Sequence, residues 1–551
     1  MRAMKQIIYI LSLFLLAACY DDKGNYDYAD INTVKVGLDE MYSFRLDKDT
    51  TISIVPKLSQ SMQENKDNLD FMWVHSVINE FIEGHDDNDT ISRVDTLRFR
   101  INPDDPDLAY MHYFRLNVYD RLTGINYPLN TTIKLMKPYD GAWMILHNEN
   151  GHAALGAIEY MGNDIVKTQD AYYKETGRYL QGKALCMGNY LTSFFPYGKG
   201  KTWNVFSVVT DQPEESGVFC QWKKFELMNS LDKMVYGPNQ GRFNFSNVQL
   251  IDGEASWGAI CLSDGVLFQS PIAMKLYKAN IASELGDNVW IKYATKAGFS
   301  SMLYDEAGHR FCFYQNQSRE TTGDPTRFNA ANENPTSYKI NPIPVRDNNV
   351  KEVDPNALPV DQKMIWIGPG YQFEPDYVRG SYAYGVSLKG VDSCFVYEFN
   401  MDGIASTVNG YPAFSGYYKL KLSSGVNENS CFAGTKPYSG ILFYTVDNVV
   451  YRLDFKQSGG KSTPVYTHTG GKATIMKFAK KAQINSTYLD FSNYEFDPNR
   501  SLGVVFDMGN GTCDVVILNL SVTGGIGSDS ENYPATQVYT GFGEVKDILF
   551  L

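Results

Sequence analysis

Between Pro138 and the last residue the chain carries seven hairpin-like apolar runs: Trp143 to Tyr160, Trp203 to Trp222, Trp257 to Phe268, Met302 to Tyr314, Tyr382 to Tyr397, Ile441 to Phe455 and Leu502 to Leu520. No other feature limits the fold as tightly. Several runs turn on pairs that adopt positive φ cheaply, namely Asn150-Gly151, Asp264-Gly265, Asp447-Asn448 and Asn510-Gly511. A lone hairpin cannot bury its faces, and many strands laid side by side leave exposed edges. Radial repetition solves both problems, so residues 138–551 are expected to form a β-propeller of about seven blades. The mean spacing, about 60 residues, exceeds the roughly 40–50 of common propeller repeats, which implies long loops. The competing arrangement is a pair of β-sandwiches.

Two segments read as copies of one strand, Gly471 to Phe478 and Gly543 to Phe550, each preceded by Val-Tyr-Thr at Val465 and Val538. The final strand, Gly543 to Leu551, is expected to complete a blade begun near the start of this domain. Helical spacing of Ala171, Tyr172, Leu180 and Leu185 predicts a helical insertion within Asp170 to Tyr190.

Residues 33–137 alternate apolar and polar side chains with period two, in Thr51 to Val55, Phe71 to Val74, Thr96 to Phe99 and Arg115 to Asp120. That is the pattern of an immunoglobulin-like β-sandwich, with Trp73 as the candidate core tryptophan. Overall the chain is expected to be all-β, a sandwich followed by the propeller.

The N-terminus carries a different signal. Arg2 and Lys5 precede the apolar run Ile7 to Leu16, too short to span a bilayer and the length of a signal-peptide core. It ends in Leu16-Ala17-Ala18-Cys19, which resembles the lipobox of bacterial lipoproteins. Residues 1–18 are therefore expected to be removed and Cys19 to carry lipid, and two or three acyl chains would hold the protein on a membrane. Residues 19–32 are polar and acidic, as a solvated tether would be. An acidic stretch directly after the lipid cysteine resembles the surface-export signal of Bacteroidota lipoproteins, implying the outer face of the outer membrane.

The hairpin from Phe114 through Asp120-Arg121-Leu122-Thr123-Gly124 into Asn130 to Leu135 resembles the last hairpin of a polycystic-kidney-disease-type (PKD) domain. With Cys19 to Tyr28 ahead of it, the chain resembles the PKD-like surface lipoproteins of Bacteroidota found with SusC/SusD-type nutrient importers. The resemblance implies an accessory component that binds a glycan or peptide ligand beside such an importer. It brings no binding residue with it.

Composition excludes some chemistry. A net charge of −13 without a basic patch disfavours nucleic acid, whose phosphates require clustered Lys and Arg. Beyond Cys19, the seven cysteines Cys186, Cys220, Cys261, Cys312, Cys394, Cys431 and Cys513 are an odd number, mostly set in apolar runs, and read as buried thiols. The seven histidines are scattered, with no metal-binding spacing, and suggest surface or turn roles; His147 and His152 flank one turn and could approach each other. No catalytic motif and no cofactor motif is present. Asp86 to Asp89 and Asp347 to Asn349 are oxygen-rich without EF-hand spacing. Asp264, Asp305 and Glu306 read as solvated turn residues. A surface hydrolase with a carboxylate pair in the propeller funnel is the alternative to a binding protein. The candidate ligand or partner contacts are loop aromatics, Phe194, Phe195 and Tyr197 in one cluster and Tyr371, Phe373 and Tyr377 in another, because exposed rings stack on sugars or cover peptide side chains.

Overall fold

The computed structural model describes residues 31–46, 48–76, 89–102, 111–136, 138–139, 141–161, 164–192, 203–220, 224–235, 240–251, 259–270, 276–297, 300–315, 339–344, 350–372, 381–391, 393–405, 410–422, 425–479, 497–527 and 534–551. The chain divides into two compact units, Met1–Met136 and Lys137–Leu551. Both are built from strands.

In the first unit a five-stranded sheet runs in the order Met41–Arg45, Ile125–Met136, Met111–Asp120, Leu69–Ser76, Asp89–Ser92. Two strand pairs, Thr50–Ile54 with Leu97–Ile101 and Val34–Gly37 with Lys57–Gln60, share its core. Alternation decides what is buried: in Met111–Asp120 the inward set His112, Phe114, Leu116, Val118 and Asp120 is buried. Trp73 is fully buried, and its indole N–H donates to the Asp95 carbonyl at 3.2 Å. Asp120 organises the turn that follows it. Its carboxylate accepts from Leu122 N, Thr123 Oγ1, Asn32 Nδ2 and Asn68 Nδ2 at 2.7–3.0 Å.

The second unit is β-propeller-like. Its described strands form seven sheets, numbered here in chain order, and each of the seven hairpin-like runs contributes to a different one. Sheet 2 (Ala184–Thr192, Trp203–Thr210, Gly217–Cys220, Glu226–Ser230) shows the plan of a simple antiparallel meander. Sheets 3, 5, 6 and 7 repeat it, opening with Val248–Ile251, Lys363–Gln372, Phe432–Ala433 and Lys472–Phe478. Sheet 4, opening with Ile291–Ala297, gains a fifth strand, Asn280–Ile281, paired in parallel at its far edge.

Sheet 1 is assembled from both ends of the unit: Asp164–Thr168, His152–Met161 and Trp143–Glu149 are completed by Glu544–Phe550, antiparallel to Trp143–Glu149. These opening strands touch in cyclic order, from Glu544–Phe550 through sheets 2 to 7 and back, so the sheets form a ring. The two copied segments occupy equivalent places, as the innermost strands of sheets 7 and 1. Each Val-Tyr-Thr lies in the outer strand of the preceding sheet.

Packing explains why these strands are apolar throughout, whereas those of the first unit alternate. Each sheet is covered on both faces, and seven apolar clusters fill the seven gaps between neighbours. Trp143 and Ile145 face sheet 7, while Met144 and Leu146 face sheet 2. Likewise Leu502, Val504 and Phe506 face sheet 6 and Val505 faces sheet 1. None of the seven cysteines beyond Cys19 is in a disulfide; six are buried and Cys431 partly so.

Turn chemistry follows the sequence, with both Asn150-Gly151 and both Asp264-Gly265 residues at positive φ; in the other two pairs Asp447 and Gly511 alone take it. The expected helical insertion is shorter than its spacing implied. Only Ala171–Thr176 is α-helical, stopped by Gly177 at φ 72°, and Leu185 belongs to the inner strand of sheet 2. No helix among the described residues is long and apolar enough to cross a membrane.

Candidate functional site

Where sheet 1 hands over to sheet 2, an open cleft of about 520 Å³ lies between the Asn150-Gly151 turn, the end of the outer strand and the short helix. Local sequence builds its wall. Asp170 caps the helix, its Oδ1 accepting from Tyr173 N at 3.0 Å, and the Gly177 N–H donates to the Tyr173 carbonyl at 2.8 Å. Tyr172 is driven into the core between sheets 1 and 2, which turns the next residue, Tyr173, outward. Tyr173 then stacks on Tyr179 with ring centres 4.4 Å apart and planes 17° apart, and Tyr179 meets His152 at 4.2 Å with the rings tilted by 34°. Both tyrosines are nearly half exposed, at 44% and 47%.

Polar groups complete the cleft. Gln169 donates to Glu149 at 3.3 Å and to the Gly541 carbonyl at 2.9 Å, and Lys167 donates to the Thr540 carbonyl at 2.6 Å while lying 4.4 Å over the Phe542 ring. Thus the floor of the cleft also fastens the segment that leads into the closing strand. Burial raises Asp170 above the usual carboxylate range, against the N–H groups of Tyr173 and Leu155. Burial likewise lowers Lys167, although Glu149 and Asp514 favour its charge.

Beneath the cleft His147 is fully buried. Its Nδ1 accepts from Gly543 N at 3.2 Å, so Nε2 carries the proton and donates to the Gln169 carbonyl at 3.1 Å. Desolvation holds this ring below its ordinary titration range. His147 and His152 therefore do not meet: one packs against Phe542, the other stands in the cleft.

Other histidines also depart from the surface and turn roles expected of them. His112 is buried, with Nδ1 3.0 Å from His75 Nε2, and His468 is buried between Tyr466 OH and Asp514 Oδ2, at 3.0 and 3.1 Å. Apolar packing from neighbouring strands is what removes them from water.

Among the loop aromatics, Phe194, Phe195, Tyr197, Phe373 and Tyr377 lie outside the described residues. So do Cys19 and the oxygen-rich residues 86–88 and 347–349. Tyr371 ends the inner strand of sheet 5, half-buried, with its ring centre 6.2 Å from that of Tyr382. The strand ends bracketing the two loops pair directly, Thr192 with Trp203 and Gln372 with Ser381. Strand alternation puts these paired strand ends at the end of the ring opposite the Asn150-Gly151 turn.

The carboxylates singled out from sequence have structural duties. Asp305 is not solvated: it is fully buried, accepting from Arg310 Nε at 2.8 Å and Trp290 N at 2.9 Å. Glu306 pairs with Lys292, and Asp264 accepts the Asn244 and Asn247 amides. On the innermost strands Asp547 accepts from Lys477 Nζ at 2.6 Å, Met187 N at 2.9 Å and Ile548 N at 2.8 Å, linking sheet 1 to sheets 7 and 2.

Sequence reasoning missed the cleft. A signal was present in Asp170, Tyr172-Tyr173, Gly177 and Tyr179, since an N-cap and a C-terminal glycine bracket a helix too short to hide both tyrosines.

The model of the PKD-like family matches residues 19–184, a span that takes in the first unit and continues through three strands of sheet 1 and the short helix. No curated protein matches the chain. A solved quinonprotein alcohol dehydrogenase-like protein from Bacteroides thetaiotaomicron is similar at 11% identity and TM-score 0.39, over 92% of this chain and 96% of that one. A dihydro-heme d1 dehydrogenase is similar at 10% identity and TM-score 0.35, over 75% of each chain. A prolyl endopeptidase is similar at 10% identity and TM-score 0.32, over 74% of this chain and 50% of that one.

Proposed function

We propose that this protein is a lipid-anchored accessory of a SusC/SusD-like uptake system, standing on the outer face of the outer membrane and capturing a glycan or peptide for import. In this reading Cys19 carries the lipid, residues 19–32 form the tether, and an immunoglobulin-like sandwich serves as spacer for a seven-bladed propeller. The observation that carries the capture role is the cleft on sheet 1, where a preformed stack of exposed rings stands beside hydrogen-bonding side chains. The lipobox and acidic tether support the location, and the PKD-like match over residues 19–184 supports the sandwich.

The test is a pull-down of the full-length protein from detergent-solubilised outer membranes, joined to a screen on a glycan and peptide array. An importer should co-purify and the array should show binding. Recovery of the protein alone together with a silent array would refute the proposal, and an importer with a silent array would leave a purely structural component. Turnover of an array ligand would favour a surface hydrolase.

A further inference from the structure

We infer that the cleft on sheet 1 takes a neutral carbohydrate, one sugar ring lying on the exposed face of the Tyr173–Tyr179 stack. This deepens the capture reading and rests on it, by choosing between its two ligand classes. The first argument is what lines the cleft. Among the described residues its apolar surface comes from the rings of His152, Tyr173 and Tyr179 and the methylene stems of Lys167 and Lys174, and no Ala, Val, Leu, Ile or Met lines it. A peptide gains affinity by seating apolar side chains in recesses of matching shape, and the lining provides none. A sugar ring presents C–H groups on its face and hydroxyls around its edge, so it needs a flat aromatic platform bordered by groups that both donate and accept.

The second argument is that those groups are present and already ordered. Glu149 accepts, Asn150 and Thr168 both donate and accept, and the Gln169 side-chain oxygen accepts, its two N–H groups being held by Glu149 and the Gly541 carbonyl, which orders both side chains. The platform is equally prepared: Tyr173 is fixed through its backbone by both helix caps, and its ring is braced by Tyr179 and, behind that, His152. Little side-chain entropy remains to be lost on binding. The third argument is charge. Lys167 and Lys174 balance Glu149 and Asp170, so the cleft has no net preference for an anionic or cationic ligand.

Affinity electrophoresis of the full chain, in native gels containing starch, mannan, inulin or a soluble β-glucan, tests this. Alginate gels and calorimetry with a casein digest cover anionic glycans and peptides. At least one neutral polysaccharide should retard the protein. Tyr173→Ala/Tyr179→Ala should weaken that retardation at least tenfold, whereas Tyr173→Phe/Tyr179→Phe should keep it, because stacking needs the ring and not the hydroxyl. Glu149→Gln gives a second readout should the alanine variant melt early, and a several-fold loss is expected. Retardation that survives both Tyr173→Ala/Tyr179→Ala and Glu149→Gln would overturn the assignment. Binding confined to alginate or to casein peptides would overturn it too while sparing the capture reading, and silence with every probe would remove both.

Discussion

At the residue scale, His147 shows how one buried ring can report on the integrity of the ring of sheets. Both of its nitrogens are used in the neutral form, one toward Gly543 and one toward Gln169, and protonation would abolish the acceptor at Nδ1. Because burial depresses its folded-state pKa, the unfolded chain takes up the proton first. Its contribution is therefore complete above the unfolded value of about 6.5 and is lost as pH falls below it. His75 in the first unit shifts in the same direction, by desolvation against the pull of Asp89. The melting temperature should thus drop as pH falls from about 7 toward 5, a range set by the unfolded histidine value. His147→Gln should melt lower than the parent at neutral pH yet lose less on acidification. Parallel melting curves for parent and variant across that range would rule out His147 as a source of the pH dependence.

At the scale of elements, the closing strand carries more weight than its seven residues suggest. Glu544–Phe550 presents Val545, Ile548, Leu549 and Phe550 as buried side chains, with Leu551 buried behind them. Full burial of one such side chain is worth about 1.5–3 kcal/mol, and a whole domain is stable by about 5–15 kcal/mol. Ending the chain at Phe542 should accordingly abolish cooperative unfolding of the second unit, which circular dichroism melting would show. Adding the peptide 543–551 in trans should restore part of the transition. A truncated chain that melts like the parent would mean that the ring does not depend on this strand. Gly543 leads into the strand and admits no side chain, since a Cβ there would overlap the Asn148 carbonyl oxygen.

At the scale of the whole molecule, the proposed attachment rests on the lipobox-like Leu16-Ala17-Ala18-Cys19 and is open to direct test. Cells fed a clickable palmitate analogue should label the parent protein, and Cys19→Ala should remove the label and release the protein from the membrane fraction. Persistent labelling of the alanine variant would exclude Cys19 as the lipid acceptor.

Much of the architecture was legible in the residues. Period-two alternation in residues 33–137 and unbroken apolar runs after Pro138 separate strands covered on one face from strands covered on both, and turn pairs such as Asn150-Gly151 locate the hairpins. Burial and backbone sterics act within a few residues, so a sequence displays them directly. The short helix was misjudged because four apolar positions mimic helical spacing while Gly177 stops the helix and Leu185 belongs to a strand. Partners far apart in the chain were decided only by tertiary structure: Gly543 against His147, Gly541 against Gln169, and Asp547 against Met187 and Lys477. The cleft stands between the two classes, since every described residue that lines it falls between Glu149 and Tyr179. Its rings and carboxylates come from a turn, a strand end and a helix that are neighbours in sequence, while tertiary packing decides how they face: burial of Tyr172 between sheets 1 and 2 turns Tyr173 outward, and the distant Gly541 carbonyl fixes Gln169, which no local pattern encodes.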